Sequence, residues 1–166
     1  AYNSNAVLSL ITNVTITNCQ NDADITATRA AGIASWITGA NTVVDNVVNN
    51  GDIAATWGAA GIVNRVQGTV SNATNNGTIS SVESEPAAGV VCILTGATTF
   101  EYCYNYGDVT SHKANPNASA AGILGQTPGS TATLNYCANY GNITAEHSYA
   151  AGIAYSLYGT INASYC

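Results

Sequence analysis

The sequence predicts an all-β fold: a parallel β-helix (β-solenoid) of about six rungs with three short strands per rung. One degenerate repeat runs along the chain, and each copy contains strand-forming runs separated by turn residues. The composition agrees, because 46% hydrophobic and 7% charged residues are too apolar for a disordered chain. Asn, Gly and Thr also recur too often for a helix or a membrane span.

The tetrapeptide Ala-Ala-Gly-Ile/Val marks the rungs. A degenerate copy of the tetrapeptide lies at the start of the chain, where Ala6 replaces the glycine. We therefore treat residues 1–166 as a single repeat domain with rungs centred near Ala6, Gly32, Gly61, Gly89, Gly122 and Gly152.

The second motif, Asn-x-Gly-x-Ile/Val, lies between these copies. Its asparagine tolerates left-handed backbone and its glycine supplies positive φ, so the pair is expected to turn the same corner on every rung. Stacking would then form an amide ladder from Asn21, Asn49, Asn75, Asn105 and Asn139. Period-two alternation points the following aliphatic residues inward, namely Ile25, Ile53, Ile79, Val109 and Ile143.

The run at the tetrapeptide supplies the other wall of the core. Its aliphatic column is expected to fill the interior, with the alanine two positions earlier on the same side. The aliphatic residues are Ile33, Ile62, Val90, Ile123 and Ile153, and the alanines are Ala31, Ala60, Ala88, Ala121 and Ala151.

Two segments carry the repeat in its fullest form. Tyr-Cys-x-Asn-Tyr-Gly-Asp/Asn-Ile/Val-Thr begins at Tyr102 and again at Tyr136, and Ala-Ala-Gly-Ile follows each. This pattern resembles the GLUG-type repeats of large bacterial cell-surface and adhesin-like proteins, although that family more often has Gly-Gly-Leu-Val in place of Ala-Ala-Gly-Ile. The resemblance implies a β-solenoid stalk or an adhesive surface.

Four of the five cysteines share one position of the repeat: Cys19, Cys103, Cys137 and Cys166. Val47 and Ala73 hold that position in other rungs, which favours a column of buried, free thiols in the core. Disulfides between rungs are the alternative, but they require local distortion, because adjacent strands lie about 4.8 Å apart and the Cβ atoms of a disulfide are about 3.8 Å apart.

Nine of the ten tyrosines follow residue 100. In the segment 102–106 they alternate with the inward cysteine, so they should face outward and stack between rungs. This strip is a candidate interface, either between subunits or with a glycan or protein, and it comprises Tyr102, Tyr106, Tyr136, Tyr140 and Tyr165.

Charge argues against several partners and cofactors. The net charge is −6, and the basic residues are Arg29, Arg65 and Lys113, so we expect no nucleic-acid binding. No membrane insertion is expected, because Asn, Thr, Ser and Gly interrupt the apolar runs. No metal site or cofactor is expected either, because no Cys-x-x-Cys or Cys/His cluster occurs.

An enzyme is a remote alternative, because some parallel β-helices act on polysaccharides. Asp24, Asp52 and Asp108 share an outward column, but Thr78 interrupts it and no basic residue recurs beside it. We therefore expect no catalytic residues. Of the Asn-x-Ser/Thr sequons, Asn117 in the longest insertion is the candidate for glycosylation.

These features predict a secreted or cell-surface structural protein. The chain begins at Ala1 and contains no methionine, as expected after removal of a signal peptide or for a fragment. Both ends fall within a repeat, so the leading hypothesis is a subunit that assembles head to tail into a filament or forms a stalk. An adhesin-type module that recognises glycans or a host surface is the alternative.

Overall fold

A computed structural model describes residues 4–5, 8–112, 119–156 and 158–166, with side chains from residue 11 onward. Every element in these ranges is a β-strand, and every strand pairing is parallel. The chain forms a β-solenoid of about five turns, so the predicted fold class is confirmed. The predicted rung at Ala6 and the sequon at Asn117 lie outside the described residues.

Twenty strands make up the solenoid. They are β1 (Ser4–Asn5), β2 (Leu8–Thr12), β3 (Thr15–Asn21), β4 (Ile25–Ala31), β5 (Ala34–Thr38), β6 (Val43–Asn49), β7 (Ile53–Ala60), β8 (Val63–Asn75), β9 (Ile79–Ser81), β10 (Ala87–Ala88), β11 (Val91–Glu101), β12 (Tyr104–Asn105), β13 (Val109–Ser111), β14 (Ala120–Ala121), β15 (Leu124–Gln126), β16 (Thr131–Asn135), β17 (Ala138–Asn139), β18 (Ile143–Ala145), β19 (Ala150–Ala151) and β20 (Thr160–Ser164).

The strands form two parallel sheets, one of nine strands and one of eleven. The rung from β4 to β6 has the predicted three strands, whereas β7 and β8 make the next rung with two long strands. The rung from β13 to β17 is divided into five. Strands merge where the backbone pairing continues around a bend, so the number per rung varies although the path of the chain repeats.

The predicted aliphatic columns lie in the core. Ile53, Ile79 and Val109 are at most 1% exposed and pack in one cluster. The second column lies in a larger cluster that also contains Phe100 and Leu134. Ile25 and Ile143, at the two ends of the first column, and Ile153, at the C-terminal end of the second, are only partly buried because fewer strands cover them.

The expected position of the alanine column was wrong in one respect. Ala31 and Ala60 are fully buried, but they contact Cys92 and Ile93 in a small separate cluster instead of sharing the main core with Ile33. The alanine one position earlier, such as Ala30, packs toward the Ile53 column. The backbone bends at the intervening glycine, which interrupts the simple alternation of sides.

The asparagine ladder forms inside the solenoid. In the first four members the side-chain Nδ2 donates both to the asparagine Oδ1 of the next rung at 2.7–2.8 Å and to a carbonyl oxygen two residues further on, and Asn139 Nδ2 donates to the carbonyl oxygen of Gly141. Its five members are Asn21, Asn49, Asn75, Asn105 and Asn139, of which the central three are fully buried. The ladder satisfies buried polar groups at every corner.

The expected backbone reason for the Asn-x-Gly motif was wrong. Neither the ladder asparagines nor their glycines have positive φ. A Cβ on Gly77 would instead overlap the carbonyl oxygen of Gly51 in the preceding rung, and Gly107 has the same relation to Gly77. Glycine is needed here because two rungs approach closely, not because the turn is left-handed.

Candidate binding face on the C-terminal rungs

A residue with left-handed backbone conformation lies at the same bend of six successive rungs. Parallel register places these residues in one outward column, and all have φ between 47° and 57°. The side chain changes part-way along the column, which consists of Asn18, Asn46, Asn72, Tyr102, Tyr136 and Tyr165.

The change from asparagine to tyrosine carries a backbone cost. Asparagine is enriched in the left-handed region, whereas a bulky residue there is a genuine outlier. Asn46 Nδ2 also donates to Asn18 Oδ1 at 2.7 Å, so asparagine provides a ladder bond as well. The three C-terminal tyrosines therefore occupy positions where the same fold accepts a less strained residue, and strain of this kind clusters at functional sites.

A second outward column shows the same substitution. Asn50 Nδ2 donates to Asp22 Oδ1, and Asn76 Nδ2 donates to Asn50 Oδ1, both at 2.7 Å. In the next two rungs the column continues as Tyr106 and Tyr140. Polar ladders on the N-terminal rungs thus give way to aromatic ladders on the C-terminal rungs.

The tyrosine rings stack between rungs. Tyr136 lies between Tyr102 and Tyr165, with ring centroids 5.1 and 4.8 Å away, and Tyr106 stacks on Tyr140 at 4.9 Å. The ring planes are within 12° of parallel. Because each inner ring covers its neighbour's face, the surface presents ring edges and hydroxyl groups in two rows.

Tyr104 lies between the two rows, and we call the six residues together the tyrosine face: Tyr102, Tyr104, Tyr106, Tyr136, Tyr140 and Tyr165. Tyr104 is half-buried, and burial together with the neighbouring Tyr140 raises the pKa of its hydroxyl. The five outer tyrosines are 44–79% exposed. They include every residue of the interface expected from the sequence, now arranged as one continuous surface.

Ala138 follows Tyr104 in the central column of the tyrosine face. It is half-buried and lies between the strand positions of Tyr136 and Tyr140. Alanine is smaller than the tyrosine that holds this column one rung earlier, so we expect a recess at Ala138 between the two tyrosine rows.

The predicted cysteine column was only half correct. Cys103 and Cys137 are buried in the main core, whereas Cys19 and Cys166 are exposed. All are free thiols, as is the buried Cys92. Cys19 is in register with the buried Val47, but its strand β3 pairs on one side only within the described structure. The four cysteines occupy the same column, but a cysteine in this column is buried only where further rungs cover it.

A charged cluster on the N-terminal rungs was missed by the sequence analysis. Arg29 donates to Glu85 through Nε, at 2.9 and 3.1 Å from the two carboxylate oxygens, and through Nη2 at 2.5 Å, while Arg65 Nη2 donates at 2.8 Å. The guanidinium groups also lie over tryptophan rings, Arg29 on Trp57 and Arg65 on Trp36. The residues are distant in sequence and share no repeat motif, so only the wrapping of three rungs reveals them.

Glu85 pairs with both guanidinium groups of this cluster, which keeps one net positive charge. Glu85 is 15% exposed and its partners are 16% and 19% exposed. The arginines already cover the tryptophan faces that a ligand would use. Its geometry is that of a clamp between rungs, because one carboxylate joins β4, β8 and the segment before β10.

The acidic column has a structural role. Asp24 Oδ1 accepts the backbone N–H of Asp52, and Asp52 Oδ1 accepts that of Thr78, both at 2.8 Å. Asp108 Oδ1 accepts the N–H of Asn142 at the same distance. Each aspartate therefore pairs a backbone donor of the next rung. The described part of the chain contains no group of three or more His, Cys, Asp or Glu residues able to hold a metal ion.

No protein-family model matches the chain, and no curated protein or solved structure shows significant similarity to it. The resemblance to GLUG-type repeats therefore rests on the sequence motifs and remains a prediction. Within the described residues, no helix is long and apolar enough to span a membrane.

Proposed function

We propose that the chain is an extracellular, adhesin-type β-solenoid module that binds a glycan or another surface ligand through its tyrosine face. One observation carries the proposal. Tyrosine replaces asparagine at left-handed positions of three successive rungs, although asparagine serves the same bend elsewhere in the chain. A binding function of the exposed tyrosine rings would explain why these residues are retained although their backbone conformation is unfavourable.

The surroundings of the tyrosine face support ligand binding without catalysis. Tyr104 lies on strand β12, and the other five tyrosines lie directly beside paired strands and stack on one another. Little conformational entropy is therefore lost when a ligand orders these side chains. Tyrosine combines a large apolar ring with a hydroxyl that donates and accepts hydrogen bonds.

Exchange of tyrosine for asparagine tests the proposal. Tyr102→Asn combined with Tyr136→Asn should abolish binding of the labelled protein to a glycan array, because two of the three stacked rings of that row are removed. The variant should fold at least as well as the wild type, since asparagine relieves the strain. Tyr149→Asn is the matched control: it removes an exposed, stacked tyrosine that lies outside the face. Unchanged binding by the double variant would contradict the proposal.

Assembly into a filament or stalk is the second candidate. In the described structure, β18, β19 and β20 each pair on one side only. Their other edges present unpaired N–H and C=O groups, which a second copy or a further segment of a longer chain can pair.

Sedimentation and electron microscopy test this second candidate. Wild-type protein should form elongated oligomers at high concentration. The N–H of Thr160 bonds to Ser130 on the β16 side, and alternate residues of β20 face opposite edges, so the N–H of Ala163 lies at the free edge. Ala163→Pro removes that donor and should shorten the oligomers while the inner rungs stay folded. Monomers at every concentration would refute assembly and leave the binding proposal intact.

A further inference from the structure

We infer that the ligand of the tyrosine face is a neutral, extended, β-linked polysaccharide that lies parallel to the solenoid axis between the two tyrosine rows. This inference rests on the proposed function and specifies its ligand. It follows from three properties of the face: its axial repeat, its charge and the recess at Ala138.

The axial repeat selects among linear polymers. Successive rings are 4.8–5.1 Å apart along the axis, which is close to the length that one pyranose residue adds to an extended β-linked chain. A β-strand laid along the axis would instead present side chains on one face every ~6.6 Å, twice its rise per residue. Over three stacked rings, the side chains of such a peptide would lose register with the tyrosines. Successive sugar residues of a β-linked chain can each contact one rung.

Charge favours a neutral ligand. The chain has a net charge of −6, and both arginines bind Glu85 on the N-terminal rungs. The nearest acidic neighbour in the strand is Glu101, immediately before Tyr102. Nucleic acids and anionic polysaccharides would therefore be repelled, since nothing in the described face neutralises a phosphate, sulfate or carboxylate.

The chemistry of the two rows matches a sugar chain. Phenolic hydroxyls donate and accept hydrogen bonds, as sugar hydroxyls do, and ring edges contact sugar C–H groups. Tyr104 forms the floor beside one end of the groove, with its hydroxyl protonated at neutral pH. At Ala138 the floor is lower, so a sugar residue can lie between Tyr136 and Tyr140.

Soluble oligosaccharides test the linkage and the register. Titration calorimetry with β-1,4-linked glucose and N-acetylglucosamine oligomers of two to six residues should show affinity rising up to about the number of rungs in the face and then levelling. The α-1,4-linked glucose oligomers are the control, because they coil away from a straight row. Equal affinity for α-linked and β-linked oligomers, or no dependence on length, would overturn the inference.

Two variants test the groove from opposite directions. Tyr136→Asn should weaken β-linked hexamer binding about tenfold, the loss expected for roughly one hydrogen bond with its ring contact. Ala138→Tyr should fill the recess and abolish binding, while folding normally because Tyr104 holds the same column one rung earlier. Circular dichroism and thermal unfolding check the fold of each variant.

The outcomes separate the two proposals. If Tyr136→Asn reduces binding to an array while Ala138→Tyr binds β-linked hexamer like the wild type, the ligand does not occupy the groove and this inference fails. The proposed function then stands with another ligand, such as a protein. If the Tyr102→Asn, Tyr136→Asn double variant retains all binding, both fail.

Discussion

At the scale of the residue, the two repeat motifs are in contact and constrain each other. The glycine of Ala-Ala-Gly-Ile/Val faces the asparagine ladder, and a Cβ on Gly61 would overlap the side-chain amide of Asn75 and the carbonyl oxygen of Gly89. Gly32, Gly89 and Gly122 meet the ladder in the same way. The glycine of one motif is therefore required by the asparagine of the other.

A pair of glycine substitutions tests this dependence. Gly61→Ala should displace the ladder and lower the free energy of unfolding by several kcal/mol, since a fully buried backbone cannot yield. Gly152→Ala is the matched control, because no described atom other than those of Gly152 and its chain neighbours lies within 4 Å of the Cβ position. Urea unfolding measures both. Equal effects of the two substitutions would show that the ladder is not the constraint.

The outward aspartates predict how stability depends on pH. The backbone N–H of Thr78 stabilises the carboxylate of Asp52 and lowers its pKa below the usual value, and Ser71 and Asn72 lower the pKa of Asp45. A pKa depressed by folding contributes stability above the unfolded pKa of about 3.9, and the contribution is lost as the pH falls through the folded pKa.

Thermal unfolding from pH 7 to pH 3 should therefore show a falling midpoint below about pH 4. Asp52→Asn keeps an acceptor for Thr78 but removes the charge, and the native Asn142 shows that an amide fits this column. The difference in midpoint between the wild type and this variant should shrink as the pH falls. A difference that stays constant down to pH 3 would contradict the assignment.

At the scale of the element, the charged cluster connects strands that do not pair through their own backbones. Arg29 is on β4, Arg65 is on β8, and Glu85 lies in the segment between β9 and β10. Such a clamp holds that segment against the sheet. A partly buried carboxylate with two guanidinium partners stabilises more than a solvent-exposed pair does.

Glu85→Gln should lower the free energy of unfolding by about 1–3 kcal/mol, because two charge-assisted contacts weaken. Glu83→Gln is the control: Glu83 accepts one hydrogen bond, from Trp57 Nε1 at 3.0 Å, and is exposed. We expect its effect to be within about 0.5 kcal/mol. Equal effects in chemical denaturation would indicate that the clamp adds no stability.

At the scale of the whole molecule, burial is set by how many rungs cover a position. Cys92, Cys103 and Cys137 are at most 1% exposed, although Cys19 and Cys166 share the repeat position of the last two. Burial raises the pKa of the Cys92 thiol, and contact with Cys137 together with burial raises that of Cys103. Contact with Cys103 lowers the pKa of Cys137, so that thiol is protected by its burial alone. A thiol with a raised pKa reacts slowly because the thiolate is the nucleophile.

Thiol titration should therefore resolve two classes. Ellman's reagent should modify two thiols of the native protein rapidly, Cys19 and Cys166, and the remaining three only after unfolding in denaturant. The total without reductant should be five. A total of three or fewer would demonstrate a disulfide between rungs, and rapid modification of all five would show that the solenoid opens locally.

Local sequence patterns were sufficient for the fold class. Asparagine, glycine and an inward aliphatic residue recur because every rung meets an almost identical neighbour, so a requirement at one rung is repeated at all of them. The aliphatic columns, the asparagine ladder and the outward tyrosines could be predicted for this reason. Each depends only on the register between adjacent rungs and on the alternation of a strand.

Features that arise from bends or from more than two rungs required the tertiary structure. The left-handed φ of Tyr102, Tyr136 and Tyr165 depends on where the backbone bends within a strand pair, which no residue pattern specified. The exposure of Cys19 and Cys166 depends on the strands that cover them. The cluster around Glu85 depends on side chains that meet across three rungs. The repeat determines the path of the chain, but contacts between unrelated positions follow only from its wrapping.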